Sequence, residues 1–202
     1  LRFPVELDLE GDHYIGDALA AVAVGLKLMV PSQKITESLA AFRNISGRQE
    51  TYRKNGFTII NDCYNAGPES MKASLDVLGK LSEKSGTVSV AVLGEMKELG
   101  EYSKQLHTDV GKAVAAKGIG KLCTFGKDAE NIALGAINHG FSHDAISINS
   151  DTESPETTAL AIRAFINPGD VVLFKASRAV KLERVIEALK KILDEKPISG
   201  NS

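Results

Sequence analysis

The stretch Phe57-Thr58-Ile59-Ile60-Asn61-Asp62-Cys63-Tyr64-Asn65-Ala66-Gly67-Pro68-Glu69-Ser70 sets the reading of the whole chain. Its first four residues are apolar or β-branched and predict a short strand. The polar run after them predicts a loop, and Pro68, with φ fixed near the helical value, predicts a helix start. A strand that is apolar at successive rather than alternate positions is one covered on both faces. The same order returns along the chain: strands at 87–94, 121–126, 145–149 and 170–177 alternate with helices at 68–81, 103–117, 128–138, 154–166 and 180–193. This alternation predicts an α/β fold, with a Rossmann-like, mostly parallel sheet and helices on both faces. Ligands of such sheets gather beyond the carboxyl ends of the strands, so the segments 61–70, 93–101 and 175–178 are the ones to read for chemistry.

Upstream, the pattern changes. Apolar residues alternate from Phe3 to Leu9 as in a strand, and helical spacing over 14–29 puts Ile15, Leu19, Val22, Ala23, Leu26 and Met29 on one face. Pro31 ends that helix, and a second one fits 32–42, with Ser32 as its cap and Ile35, Leu39 and Phe42 facing inward. One strand and two helices are too little for a domain. The expected division is an end piece of another domain over 1–46, a Rossmann-like domain over 47–195 and a flexible tail over 196–202. The opening Leu1, running straight into a strand pattern, reads as the start of a fragment.

The chain has 202 residues, 43% of them hydrophobic and 25% charged, with a formal net charge of -2, as in a globular protein able to bury a core. That balance gives no field to draw nucleic acid or an anionic membrane, which needs a clustered excess of Lys and Arg. Cys63 and Cys123 sit in strand contexts rather than in a disulfide framework. No run of about 18 apolar residues is present, and the N-terminus lacks the basic and apolar regions of a signal peptide. The expectation is a protein of the reducing cytoplasm, with no membrane insertion.

Read for chemistry, Asp62 leaves a strand end as a carboxylate suited to ribose hydroxyls, with Asn65 beside it to donate or accept near a phosphate or substrate group. The alternative is that both shape the turn and cap the helix. Lys175-Ala176-Ser177-Arg178 puts two cations and a hydroxyl at a strand-to-helix turn, either as a carboxylate or phosphate clamp or as a plain solvated turn. Glu95, Glu98 and Glu101 either orient an amine or line a solvated face. His139 and His143 lie four apart, but Gly140 and Ser142 between them argue for a loop, and no metal site is expected. No G-x-S-x-G elbow, no G-x-G-x-x-G fingerprint and no G-x-x-x-x-G-K-[ST] phosphate loop occurs. Tight binding of a triphosphate by this chain alone is therefore not expected.

Three segments carry a resemblance. Asp62 to Ser70 is similar to D-D-S-Y-N-A-N-P-x-S, Leu93-Gly94-Glu95-Met96-Lys97-Glu98-Leu99-Gly100-Glu101 followed by His107 is similar to L-G-D-M-x-E-L-G-E, and Gly169 to Arg178 resembles G-D-x-V-L-x-K-G-S-R, with Leu182-Glu183 after it. These are, in order, signatures of the MurF type of Mur ligase. Gly11 to Ala21 resembles the G-x-H-N-x-x-N-A-L-A-A end of the Mur central domain, with Tyr14 and Asp17 where that family has asparagines and Ala176 where it has glycine. The resemblance implies the C-terminal half of an ATP- and magnesium-using amide ligase that joins D-alanyl-D-alanine to a UDP-muramoyl tripeptide through an acyl phosphate. It implies that the phosphate loop lies in a missing N-terminal half. His13 and Asp17 fall where the family meets adenine, though a hydrogen-bonded histidine at a helix entry is an equal reading of His13. Gly47-Arg48 matches the hinge arginine that reaches the terminal phosphate, a task suited to a planar, permanently charged fork. The nucleotide set is then His13, Asp17, Arg48, Asp62 and Asn65, and the substrate set Tyr64, Asn65, Glu95, Lys175, Ser177 and Arg178, with Arg48 and Lys175 neutralising charge in the reaction. Another ligase of the same fold, adding glutamates to a folate or a single amino acid, and a non-catalytic nucleotide-binding module are the other readings.

Overall fold

In the computed structural model, which describes residues 2–9, 11–149 and 154–195, side chains along the central strands alternate between two hydrophobic clusters. On β3 (Ser89–Gly94), Val90 and Val92 enter one hydrophobic cluster while Ala91 and Leu93 enter a second. On β6 (Val171–Lys175), Val172 and Phe174 join the first cluster and Val171 and Leu173 the second. Both faces of these strands are therefore core, which is why their sequences are apolar throughout.

The sheet has six strands in the order β1-β2-β6-β3-β4-β5. β2 (Phe57–Asn61), β6, β3, β4 (Lys121–Phe125) and β5 (Ile146–Asn149) run parallel. The edge strand β1 (Glu50–Lys54) is antiparallel to β2. Helices α3 (Pro68–Ser85), α4 (Ser103–Ala116) and α5 (Glu130–Ile137) supply the second cluster, through residues such as Leu75, Val110 and Ile132. Helices α6 (Pro155–Phe165) and α7 (Glu183–Glu195) supply the first, through Ile162, Ile186 and Leu189. Each large side chain so buried contributes about 1.5–3 kcal/mol of transfer free energy. The expected α/β architecture, a mostly parallel sheet with helices on both faces, is the one found.

Caps follow the local chemistry. Gly67 precedes Pro68 at the start of α3, with the Ser70 hydroxyl accepting from Gly67 N, and Gly86 ends the helix at φ 64°. Ser154 caps α6 by accepting from Thr157 N at 3.1 Å. Helices α4 and α5 cross at glycines: a Cβ on Gly111 would lie 2.0 Å from Ile132 O, and one on Gly135 2.2 Å from Thr108 O. Only glycine permits that approach.

Strand β1 was not foreseen. Its sequence, Glu50-Thr51-Tyr52-Arg53-Lys54, is too polar to read as a buried strand, but it needs only one neighbour. Asn55 (φ 45°) and Gly56 (φ 84°) form the tight left-handed turn that joins it to β2. The tip of this hairpin is tied to the end of α7: Asn55 Nδ2 donates to Leu193 O, and Lys54 pairs with Asp194.

Contacts divide the chain into two units, Leu1–Ile45 and Ser46–Ser202. The first contains α1 (His13–Lys27) and α2 (Ser32–Ala41), joined through Met29 at φ 58°. Residues 2–9 form no strand: their burial alternates, but among the described residues no strand lies beside them to complete a ladder. The face of α1 expected to be inward is also largely open. Ala18 is its buried residue, while Leu19 is 64% exposed and Met29, beyond the helix, 85%. Periodicity identifies an apolar face; it does not say whether the covering layer belongs to the same segment. In α2, Ile35 is buried as expected, Phe42 is exposed, and Ser32 is the first helical residue rather than the cap. The proposed tail, 196–202, lies outside the described residues.

Candidate functional site

The strand order sets a switch point at one end of the sheet. Strands β2 and β3 are followed by α3 and α4 on one face, while β6 between them is followed by α7 on the other. The loops leaving β6 and its neighbours therefore lead to opposite faces, and α/β sheets hold ligands at such points. The three motif segments leave the sheet at this point.

Asp62 is the centre of the first layer. It follows β2, its N–H donating to Phe174 O, and its carboxylate is nearly buried. Oδ2 accepts from Lys175 Nζ at 2.6 Å and from Ser74 Oγ at 2.6 Å, and Oδ1 accepts from Gln49 N at 3.1 Å. Lys175, with a side chain 3% exposed, also donates to Asn65 O at 3.2 Å. Removing both charges from water is costly, and the cost is offset here by mutual attraction and by hydrogen bonds to the remaining lone pairs. The resemblance implied a Lys175 facing substrate; in the structure its ammonium is turned to Asp62 and the Asn65 carbonyl.

Ser177 closes the second layer. Its hydroxyl accepts from Lys97 N at 2.8 Å and donates to Ala66 O at 3.3 Å, and its N–H donates to Glu95 O at 2.9 Å. One residue thus joins the loops after β2, β3 and β6. Glu95 is buried: Oε1 accepts from Asp128 N at 2.9 Å and Oε2 pairs with Lys97. Gly126 leaves room for it, since a Cβ there would lie 2.7 Å from Glu95 Cγ. The acidic run is therefore split, with Glu95 internal and Glu98 and Glu101 exposed. His107, fully buried in α4, accepts from Met96 N through Nε2 at 2.9 Å, which leaves the ring proton on Nδ1 to donate to Ser103 O at 2.7 Å. Ala176 has room for its methyl because residue 94 is glycine: a Cβ on Gly94 would lie 2.7 Å from Ala176 Cβ.

In front of these layers stand exposed groups. The Arg48 guanidinium lies 4.2 Å above the Tyr64 ring, and Tyr64 N donates to Gly47 O at 2.8 Å. Gly47 and Gln49, on either side of Arg48, have φ of 77° and 48°. Glu50 Oε2 accepts from Ser46 Oγ, Gly47 N and Asn61 Nδ2. Asn65 is exposed, its Oδ1 accepting from Ala66 N. Arg178 is exposed and pairs with Glu183 at 3.2 Å. The Cys63 thiol donates to Phe174 O, and burial, with Glu183 and Asp62 adding to it, pushes its pKa up. At 2% exposure the thiol is closed off from substrates. His13 and Asp17 belong to the first unit, both exposed at the start of α1, His13 against the Tyr14 ring at 4.2 Å. Among the described residues, no group of three or more His, Cys, Asp or Glu side chains is arranged to hold a metal ion.

A protein-family profile described as Mur ligase, glutamate ligase domain matches residues 47–178, which include Arg48, Asp62, Asn65, Glu95, Lys175 and Ser177. The chain belongs to the Mur ligase family. It is 34% identical over 190 residues to the UDP-N-acetylmuramoyl-tripeptide--D-alanyl-D-alanine ligase of Bacillus subtilis, covering 94% of this chain and 39% of that protein. It is 35% identical over 199 residues to the ligase of the same name from Mycobacterium leprae, covering 92% of this chain and 38% of that one. The crystal structure of the Thermotoga maritima MurF ligase in complex with ADP superposes with a TM-score of 0.73 at 32% identity, over 96% of this chain and 42% of that one. A MurF structure from Acinetobacter baumannii gives 0.77 at 28% identity, over 93% and 39%. The chain thus spans about two fifths of the length of the curated relatives it matches.

Within this Mur ligase domain, three contributors were not foreseen. Gln49 acts through its backbone N–H, which no sequence pattern marks. Ser74 and Asp128 act across the fold on Asp62 and Glu95. His107 was marked by its place after the second motif; its bond to Met96 N was not. Among the described residues no helix is long and apolar enough to cross a membrane.

Proposed function

We propose that this chain is the closing part of an ATP-dependent amide ligase that adds D-alanyl-D-alanine to a UDP-N-acetylmuramoyl tripeptide in peptidoglycan synthesis, in the bacterial cytoplasm. The observation that supports it most is the interlocking of three motif loops at one sheet end by Asp62, Lys175 and Ser177. The phosphate loop is assigned to a part of the protein upstream of these residues, so the isolated chain is inactive in this reading.

A carboxylate is a poor acyl donor. In the proposed reaction a carboxylate oxygen of the tripeptide attacks the terminal phosphorus of ATP and ADP leaves. The amine nitrogen of the dipeptide then attacks the acyl carbon, loses a proton, and phosphate departs. Such a reaction needs positioning and charge neutralisation rather than a protein nucleophile, in keeping with an inert Cys63. Arg48, exposed and braced on Tyr64, is the cation we place on the transferred phosphate. Asn65, Tyr64 and Arg178 are the groups we place nearest the substrates, with Glu95, Ser177 and Lys175 behind them. We place His13 and Asp17 at the adenine. ATP chemistry also uses magnesium, for which no ligand set is found among the described residues.

The test is phosphate release by the complete protein given ATP, the UDP-muramoyl tripeptide and one amine at a time. D-alanyl-D-alanine is expected to support release where single amino acids do not. Release driven by a single amino acid and not by the dipeptide would overturn the assignment.

A further inference from the structure

Lys175 and Asp62 hold more of the Arg48 turn than their own chemistry accounts for. We infer that the two form a buried positioning pair, in which Lys175 acts through Asp62 to fix the turn that presents Arg48 and does not itself touch a substrate; this rests on the ligase reading above.

The geometry carries the inference in three steps. First, Lys175 is committed: its side chain is 3% exposed, and its ammonium lies 2.6 Å from Asp62 Oδ2 and 3.2 Å from Asn65 O. Second, Asp62 is committed on both oxygens, and Oδ1 spends its acceptor on Gln49 N, the residue after Arg48. Third, that turn needs holding. Gln49 has φ 48°, a conformation that non-glycine residues seldom adopt, and Gly47 before Arg48 is at φ 77°. Asp62 grips the turn on its Gln49 side, while Tyr64 N binds Gly47 O and the Tyr64 ring lies under the guanidinium. The same ammonium that neutralises Asp62 also fixes Asn65 O, in the loop that carries Tyr64. One buried cation thus sets both supports of Arg48.

The two roles of Lys175 separate by experiment. In the complete ligase, Lys175→Met leaves Asp62 buried and uncompensated, and displacement of Arg48 is expected to lower kcat on the order of 100-fold with little change in KM for the dipeptide. Adding Asp62→Asn removes the stranded charge, while an amide oxygen still accepts from Gln49 N. The double variant is expected to recover at least about tenfold over Lys175→Met, as coupling between contacting residues allows. A double variant no better than Lys175→Met, with both folded as judged by thermal melting, would assign Lys175 to the substrate and overturn the inference. Amide hydrogen exchange at Gln49 gives a readout independent of catalysis. Protection there is expected to fall in Lys175→Met and return in the double variant, and unchanged protection in Lys175→Met would equally overturn it. Because exchange needs no turnover, failure of the D-alanyl-D-alanine assignment leaves this arm intact.

Discussion

Asp62 and Arg48 never touch, yet the carboxylate of the first fixes the turn that carries the second. Asp62 Oδ1 binds the amide of Gln49 at 3.1 Å from behind, and Arg48 faces outward over Tyr64. The buried groups of the site act on one another, and in the proposed function it is the exposed groups that meet ligands.

Arg48 is therefore the residue whose loss should act on catalysis and not on folding. Arg48→Lys keeps a charge but loses the planar fork and the stack on Tyr64. In the complete ligase we expect kcat to fall on the order of 100-fold or more, with a stability change within about 0.5 kcal/mol. Steady-state kinetics beside a denaturant titration checks both.

Ser177→Ala should do the reverse in part. It removes the acceptor of Lys97 N and the donor to Ala66 O at a junction where Ser177 is 4% exposed. A loss of about 1–3 kcal/mol is expected in denaturant unfolding. A variant as stable as the parent would mean that the loops after β2 and β3 do not depend on this hydroxyl.

Gly111→Ala and Gly135→Ala test the crossing of α4 and α5. Each adds a methyl where backbone stands about 2 Å away, so the helices must separate, at about 1–3 kcal/mol or more. Gly79→Ala is the control: a Cβ there meets nothing within 4 Å, in an α-helix that alanine favours. It should leave the melting temperature unchanged or raise it.

The two thiols predict an alkaline limit. Burial pushes Cys123 from 9.0 up to about 12 and moves Cys63 in the same direction. A folded-state pKa raised above the unfolded one leaves stability intact below the unfolded value and removes it as pH climbs toward the folded value. Unfolding free energy should thus show no thiol contribution to its slope below about pH 8. It should fall above pH 9 by about 1.4 kcal/mol per pH unit for each thiol. A thiol reagent at pH 8 should label neither cysteine until denaturant is added.

How much of this the sequence discloses depends on how local each feature is. The parallel strands are legible because Val90 to Leu93 and Val171 to Phe174 are apolar at every position, which only two-sided burial explains. Strand β1 is not, because a polar edge strand has no such pattern, although Asn55-Gly56 announces its turn. In α1 the apolar face is legible and its exposure is not. The motif loops identify Asp62, Lys175, Ser177 and Glu95 as polar residues at strand ends. Their pairing with one another is set by strand order, which brings β6 between β2 and β3. The acceptor roles toward Gln49 N and Asp128 N depend on backbone direction, on which side-chain identity is silent.

The hairpin moored to α7 bears on how Arg48 travels. Arg48 sits two residues before β1, and the far end of that ribbon is tied down at Asn55 and Lys54. With both ends of its turn held, the guanidinium would, in the proposed reaction, be carried to the phosphate with the sheet domain rather than by a swinging loop. A step limited by such a displacement slows with solvent viscosity, as rotation of a large object does, whereas one limited by a side-chain flip is nearly indifferent to added glycerol.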